Sequence, residues 1–350
     1  MKTAAAILVE QKKPLVIDDV EIPKLKYGQV LVQIEATRIC GSQIGEIDGV
    51  KGEDKYLPHL LGHEAGGTVL EIGPEVKHVK PNDRVVLHWR PGMGIQASCP
   101  TYKWGKRTVN AGNITTFNQF AVISEDRLTT VPLSTDFEIC CLLADTLTTG
   151  FGVISNDACV RLGESVVIIG CGGIGLGVVL GAKLAGAHPI VAVDLHDHKL
   201  TLAKNYGATH TINSAETDFV FVARQALTGD ADVVIDGTGN PKVLGKALEL
   251  TGSNGRCVGF GVMPHDQSIS FNTLPLHLGK SLTGSEGGSS RPAEDIPRLL
   301  RMMDGNLFDP TDFISHRISL EEINDGIDKM RSGEVIHCIV HFNHEFRSGN

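Results

Sequence analysis

Residues 166–175 read Val166-Val167-Ile168-Ile169-Gly170-Cys171-Gly172-Gly173-Ile174-Gly175. Four β-branched apolar residues bounded by glycines have the signature of a buried strand. The glycines that follow fit G-x-G-x-x-G and lead directly into a helical stretch. Glycine there lets the backbone turn tightly, approach a pyrophosphate and pack the helix on the strand, while helix N–H groups face the anion. About twenty residues on, the next apolar run, Ile190 to Val193, ends at Asp194, an acid placed to accept a ribose 2′-hydroxyl. The loop alone also fits a glycine turn in an unrelated α/β domain. Strand, loop, helix, strand and terminal acid together favour a dinucleotide site at Gly170, Gly172, Gly173, Ile174, Gly175 and Asp194. The charge of Asp194, with no arginine close behind it, favours NAD(H) over its 2′-phosphorylated form. Lys199, five positions on, is either a second ribose contact or a solvated helix lysine.

Working outward, Val233 to Ile235 and Cys257 to Phe260 are further strand-like runs, separated by helical patterns such as Val243, Leu244, Ala247 and Leu248. Strand and helix in alternation imply a parallel sheet covered on both faces. Before residue 150 the chain reads as β-rich, with alternation such as Val30-Leu31-Val32-Gln33-Ile34. Beyond residue 287 two helices are expected. One carries Ile296, Leu299, Leu300 and Met303; the other is opened by a Ser319/Glu322 capping box. A last strand, 337–342, follows. The two ends of the chain then form one domain with the α/β part inserted between them.

At 350 residues, two domains are the natural expectation. The net charge of -9 and pI near 5.9 argue against nucleic acid as a partner. No run approaches the ~20 apolar residues of a membrane span. The N-terminal MKTAAAILVEQKKPL lacks the apolar core of a secretion signal. The eight cysteines show no disulfide-scaffold spacing. A cytoplasmic, soluble, mostly reduced protein is expected, with Cys140, Cys141, Cys159, Cys171, Cys257 and Cys338 as packing residues.

Residues 140–151, CCLLADTLTTGF, set a carboxylate, Asp145, inside an apolar run. A buried carboxylate needs a positive partner or several hydrogen bonds. No lysine or arginine lies within ten residues on either side, so the partner must come from elsewhere in the fold. Upstream stand Arg38-Ile39-Cys40-Gly41-Ser42-Gln43 and Leu61-Gly62-His63-Glu64-Ala65-Gly66-Gly67. Taken singly, Cys40 reads as a core cysteine, His63 as a satisfied buried histidine and Asp145 as a helix cap near Thr148.

Cys-Gly-Ser and Gly-His-Glu at this separation, ahead of a dinucleotide loop, resemble the zinc-dependent medium-chain alcohol and polyol dehydrogenases over nearly the whole chain. The resemblance implies a Rossmann doubly wound parallel sheet for the cofactor, residues 147–287. It implies that this domain is inserted in a β-rich GroES-like catalytic domain, residues 1–146 plus 288–350. It implies a catalytic zinc on Cys40, His63 and, four residues before Thr149-Gly150, Asp145; thiolate, imidazole and carboxylate suit Zn(II). Glu64 is then an outer group or an intermittent fourth ligand, Ser42 accepts the substrate proton, Thr149 lies beneath the nicotinamide, and Trp89 lines the substrate pocket. The strand near Lys280 to Gly284 resembles the edge that pairs subunits, so a homodimer or homotetramer is expected.

The expected reaction is hydride transfer between NAD(H) and a small-molecule alcohol/carbonyl pair, a secondary alcohol of a polyol or sugar derivative. Two other readings stay open: a zinc-free quinone or enone reductase of the same superfamily, and a catalytically silent cofactor-binding protein. Three departures from the family pattern stand out. The stretch 88–113 has Cys99 as its only cysteine, so one zinc per chain and no structural zinc is expected. Gln43 stands where the family commonly has an acid behind the ligand histidine. Gly45 stands where it often has a relay histidine, leaving Glu46 or water to finish the proton path. The same lobe carries Arg90, Lys103, Lys106 and Arg107, read either as an anion-facing surface or as a solvated loop.

Overall fold

The structure is a computed structural model that describes residues 1–342. The chain divides into two compact units, residues 1–145 together with the described residues from Arg291 on, and Thr146–Ser290.

In the first unit, Lys2–Leu8, Val16–Glu21, Thr101–Trp104, Arg107–Asn110 and His59–Leu60 close a small barrel. A seven-stranded sheet runs Leu128–Val131, Arg84–His88, Glu64–Ile72, Gln29–Ile39, His337–His341, Ile314–Ser319, with Phe120–Ser124 also paired to Gln29–Ile39. Gln29–Ile39 departs from the half-exposed alternation its sequence suggests, because nearly every residue is buried. Val30, Val32 and Ile34 enter one apolar core, and Leu31 enters a second with Ile7, Tyr102 and Val122. A strand with a core on each face has no solvent side to mark with polar residues.

Three registers on this sheet position the site. Thr37 pairs with Ala65, Cys338 with Ile39, and Glu64 with His88. Cys40, His63, Trp89 and His337 each lie one step past these pairs, so strand ends from distant parts of the chain meet at one edge. The helix Phe137–Cys141, capped by Asp136 accepting from Glu138 N–H at 2.7 Å, packs on Glu64–Ile72 and carries Asp145 toward that edge. Gly66 permits the approach: a Cβ there would sit 2.6 Å from Phe137 O and 2.7 Å from the Cys140 Cβ. Residues Leu142–Thr146 then widen into a π-helical turn, the kind of irregularity often found at functional positions.

In the second unit, six parallel strands lie in the order His210–Asn213, Ile190–Asp194, Val166–Ile169, Ala231–Asp236, Thr251–Gly259, Ser281–Gly284. Its core joins Val167, Ile169, Val191, Val193, Val234 and Cys257. The reversal of order between the first and fourth strands in sequence opens a crevice at their carboxyl ends, where the glycine loop stands, and Asp194 ends the second strand beside it. Back in the first unit, the helices Pro292–Asp304 and Ile323–Arg331 form, the latter preceded by the Ser319/Glu322 capping box. Cys159, read as a packing residue, is exposed instead. It sits just after the helical segment Val153–Asp157, with a φ of 47°.

Candidate functional site

Cys40, His63, Glu64 and Asp145 each present one donor atom, and these atoms lie within 4.8 Å of one another. Cys40 Sγ is 3.8 Å from Asp145 Oδ2, and His63 Nε2 is 4.0 Å from the same oxygen. Among the described residues His63 Nε2 is buried without a hydrogen-bond partner, and so is Ser42 Oγ. A buried nitrogen left bare beside a thiol and a carboxylate is costly unless something else fills the position. A Cys/His/Asp donor set of this size suits Zn(II).

Gln43 ties two of these groups together. Its Oε1 accepts from Cys40 N–H at 2.6 Å, and its Nε2 lies 2.8 Å from His63 Nδ1. Ligation through Nε2 puts the imidazole proton on Nδ1, which then needs an acceptor. As placed, Gln43 turns its Nε2–H donor toward His63 Nδ1, so a proton on Nδ1 requires the amide turned with Oε1 toward the ring.

Trp89, expected as a pocket-lining aromatic, donates Nε1–H to Asp145 Oδ1 at 3.1 Å. The bond orients Asp145 so that Oδ2 faces Cys40 and His63. Trp89→Phe keeps an aromatic ring, though a smaller one, and removes the donor. It is expected to weaken zinc binding about ten-fold in a chelator competition, with little change in thermal stability.

The positive partner that Asp145 lacks in its own stretch of sequence is supplied in part by Arg38. This side chain is buried, with Nη2 at 2.7 Å from Glu64 Oε1 and 3.5 Å from Asp145 Oδ2. Nη1 lies 2.5 Å from His337 Nδ1. Burial pushes the Glu64 carboxyl up to about 8, against the pull of Arg38. Arg38 is itself held above its ordinary value, because Glu64, Cys40 and Asp145 together outweigh the cost of burial. Sequence reasoning assigned no role to Arg38 or His337. The available signal was a guanidinium two residues before Cys40, next to Ile39 at the end of a strand.

In the second unit Gly170 takes a φ of 92°, open to glycine and strained for other residues. A Cβ at Gly172 would meet nothing within 4 Å, so the space before it is open. Gly173 and Ile174 begin the helix Gly173–Leu184. A Cβ at Gly175 would overlap Gly170 O. Gly175→Ala must therefore push helix from strand, and is expected to cost about 1–3 kcal/mol and to weaken NAD binding in calorimetry. Asp194 closes the loop from the side: Oδ2 accepts from Cys171 N–H at 2.7 Å and Oδ1 from His196 N–H at 3.0 Å. Lys199 is half-buried on the helix Asp197–Tyr206, and Thr149 is buried in Leu147–Gly152. The loop, like the donor cluster, fits the group its sequence implies.

In the basic lobe, Lys103 and Arg107 are exposed on barrel strands, and the Arg107 guanidinium lies 5.7 Å from the Trp104 ring centre.

Comparison with known proteins agrees with this geometry. Residues 26–133 match the alcohol dehydrogenase GroES-like domain and residues 173–305 the zinc-binding dehydrogenase family. The chain is 35% identical to an alcohol dehydrogenase class-3 of Cereibacter sphaeroides, over 98% of this chain and 100% of that protein. It is 34% identical to an S-(hydroxymethyl)glutathione dehydrogenase of Paracoccus denitrificans, over 97% and 100%. Among solved structures, an alcohol dehydrogenase zinc-binding domain protein from Burkholderia ambifaria superposes with a TM-score of 0.91 at 27% identity, covering 98% of this chain and 100% of that one. A full-length match on this scale, together with the donor cluster and the glycine loop, shows that the chain belongs to the zinc-dependent medium-chain alcohol dehydrogenase family, an oxidoreductase lineage that uses zinc and NAD(H).

Proposed function

We propose that this enzyme interconverts a secondary alcohol of a polyol or sugar derivative with its carbonyl. The observation that carries the reading is the convergence of Cys40, His63 and Asp145 beside the unpartnered Ser42 hydroxyl. These three side chains hold the metal, with Glu64 behind them. Gly170, Gly172, Gly173, Ile174 and Gly175 seat the pyrophosphate, Asp194 the adenosine ribose and Thr149 the nicotinamide. When bound, zinc supplies Lewis-acid polarisation of the substrate oxygen and NAD(H) supplies or takes the hydride.

The chain's own part is to orient and to move a proton. Ser42 Oγ, with no competing hydrogen bond among the described residues, accepts the substrate hydroxyl proton. Gln43, Gly45, Glu46, His59 and His63 share the wall of one cavity of about 790 Å³. Gly45 and Glu46 lie on that wall within four residues of Ser42, and we assign the outward proton path to Glu46 and the water of this cavity, in place of a histidine at position 45. Lys51, Asp54 and Asn110 line this cavity together with Leu60, Leu61, Pro100, Ala111 and Ile114.

A second reading, the alcohol of a thiol–aldehyde adduct, is favoured by the name of the Paracoccus denitrificans relative. NAD reduction with polyols, sugar phosphates, simple secondary alcohols and S-(hydroxymethyl)glutathione separates the two. The highest kcat/KM on a polyol or sugar derivative supports the first reading, and preference for the glutathione adduct overturns it.

The cofactor sheet ends at the strand Ser281–Gly284, near exposed Leu274 and Leu278. We assign this edge to pairing between subunits of a cytoplasmic homo-oligomer. Sedimentation of a monomer at micromolar concentration would remove that assignment.

A further inference from the structure

The metal reading leaves a buried charge unexplained. When all are ionised, the Cys40 thiolate, Asp145 and Glu64 bring three formal negatives, and a divalent cation offsets two of them. Arg38 stands where the third is needed, 2.7 Å from Glu64 Oε1 and 3.5 Å from Asp145 Oδ2. The side chains of Arg38 and Glu64 are 2% and 0% exposed, so water does little to screen the pair. Burying two ions is expensive, and a well-packed apolar pair of the same volume is often at least as stable. Fold stability alone is therefore a poor reason for this pair.

Glu64 Oε1 is also within reach of the metal position, at 3.6 Å from His63 Nε2. One carboxylate oxygen thus faces two cations, the guanidinium and the metal. We propose that Arg38 is a positioning residue that holds Glu64 in an ion pair and so keeps the fourth coordination position open for substrate, with His337 as its brace. This rests on the zinc reading of Cys40, His63 and Asp145.

His337 has the properties of a dedicated acceptor. Its Nδ1 lies 2.5 Å from Arg38 Nη1, which has only hydrogens to offer, so the ring is neutral with its proton on Nε2. That Nε2 has no hydrogen-bond partner among the described residues. Phenylalanine would fill the space beside Phe313, whose ring centre is 6.1 Å away, without burying a lone donor. Histidine there carries the cost of an unmatched N–H, which its grip on Arg38 offsets. The pairing of Ile339 with Arg38 across the sheet fixes the brace in place.

The test uses the full chain loaded with cobalt(II), whose visible absorption reports coordination number, titrated with imidazole as a ligand for the open position. The parent should bind imidazole with a shift of its bands. Arg38→Gln should retain metal, show altered bands before any imidazole is added, and bind imidazole at least about ten-fold more weakly, because Glu64 has taken the position. Arg38→Gln/Glu64→Gln should regain the parental response, a rescue that a merely structural arginine would not show. If Arg38→Gln does not fold, His337→Phe carries the test with a smaller shift in the same direction. Parental imidazole binding in the variant that folds, or a double variant as impaired as the single, overturns the proposal. A parent that takes up neither zinc nor cobalt overturns the metal reading itself.

Discussion

Asp145→Asn is expected to lower kcat/KM by about a thousand-fold or more and to strip zinc from the protein on dialysis against a mild chelator. The substitution keeps an oxygen for Trp89, which donates to Oδ1 at 3.1 Å, so the packing of the helical turn survives. It removes the charge and the second oxygen, the one 3.8 Å from Cys40 Sγ. A three-ligand site that loses one anion loses most of its affinity, and loss of Lewis acidity removes several kcal/mol of transition-state stabilisation, about 1.4 kcal/mol per factor of ten. Arg38, left 3.5 Å from a neutral amide, then repels the metal with one less carboxylate to balance it. NAD affinity should stay within about two-fold, because the glycine loop stands on a separate apolar core. Retained zinc and near-parental turnover in this variant would remove Asp145 from the donor set.

The second large effect concerns cofactor choice. Activity with NAD is expected to exceed that with NADP by at least about ten-fold, and Asp194→Asn should narrow the ratio from both sides. Two backbone N–H groups, from Cys171 and His196, pin the Asp194 carboxylate at the end of its strand. It cannot swing away from a 2′-phosphate, and like charges at about 4 Å repel by a few kcal/mol near a protein surface. Asparagine retains one oxygen for the loop and loses the charge. Initial rates with both cofactors at subsaturating concentration measure the ratio, and equal rates in the parent would exclude Asp194 as the discriminating group.

Much of this architecture is legible along the chain because it is local. The glycine loop, its strand and its helix occupy consecutive residues, and Gly170 and Gly175 have reasons visible in the structure, a φ of 92° and a close approach to Gly170 O. The donor set is less local: in the sequence only a family resemblance joins Cys40, His63 and Asp145, since the sheet registers that align them are not written in any one segment. Arg38 and His337 lie 299 positions apart, and their pairing depends on the last strand adding beside Gln29–Ile39. No periodicity signals that contact. Trp89 was placed as a pocket wall, and its bond to Asp145 emerges only from the pairing of Glu64 with His88. The π-helical turn at Leu142–Thr146 likewise has no marker in an apolar run, because packing around the turn selects it.

The central claim is a single zinc held by Cys40, His63 and Asp145, and metal content tests it most directly. Elemental analysis of the purified, dialysed protein should give about one zinc per chain, falling to near zero in Cys40→Ser with the fold intact by circular dichroism. Two tightly held zincs per chain, or one zinc that persists in Cys40→Ser, would contradict the account.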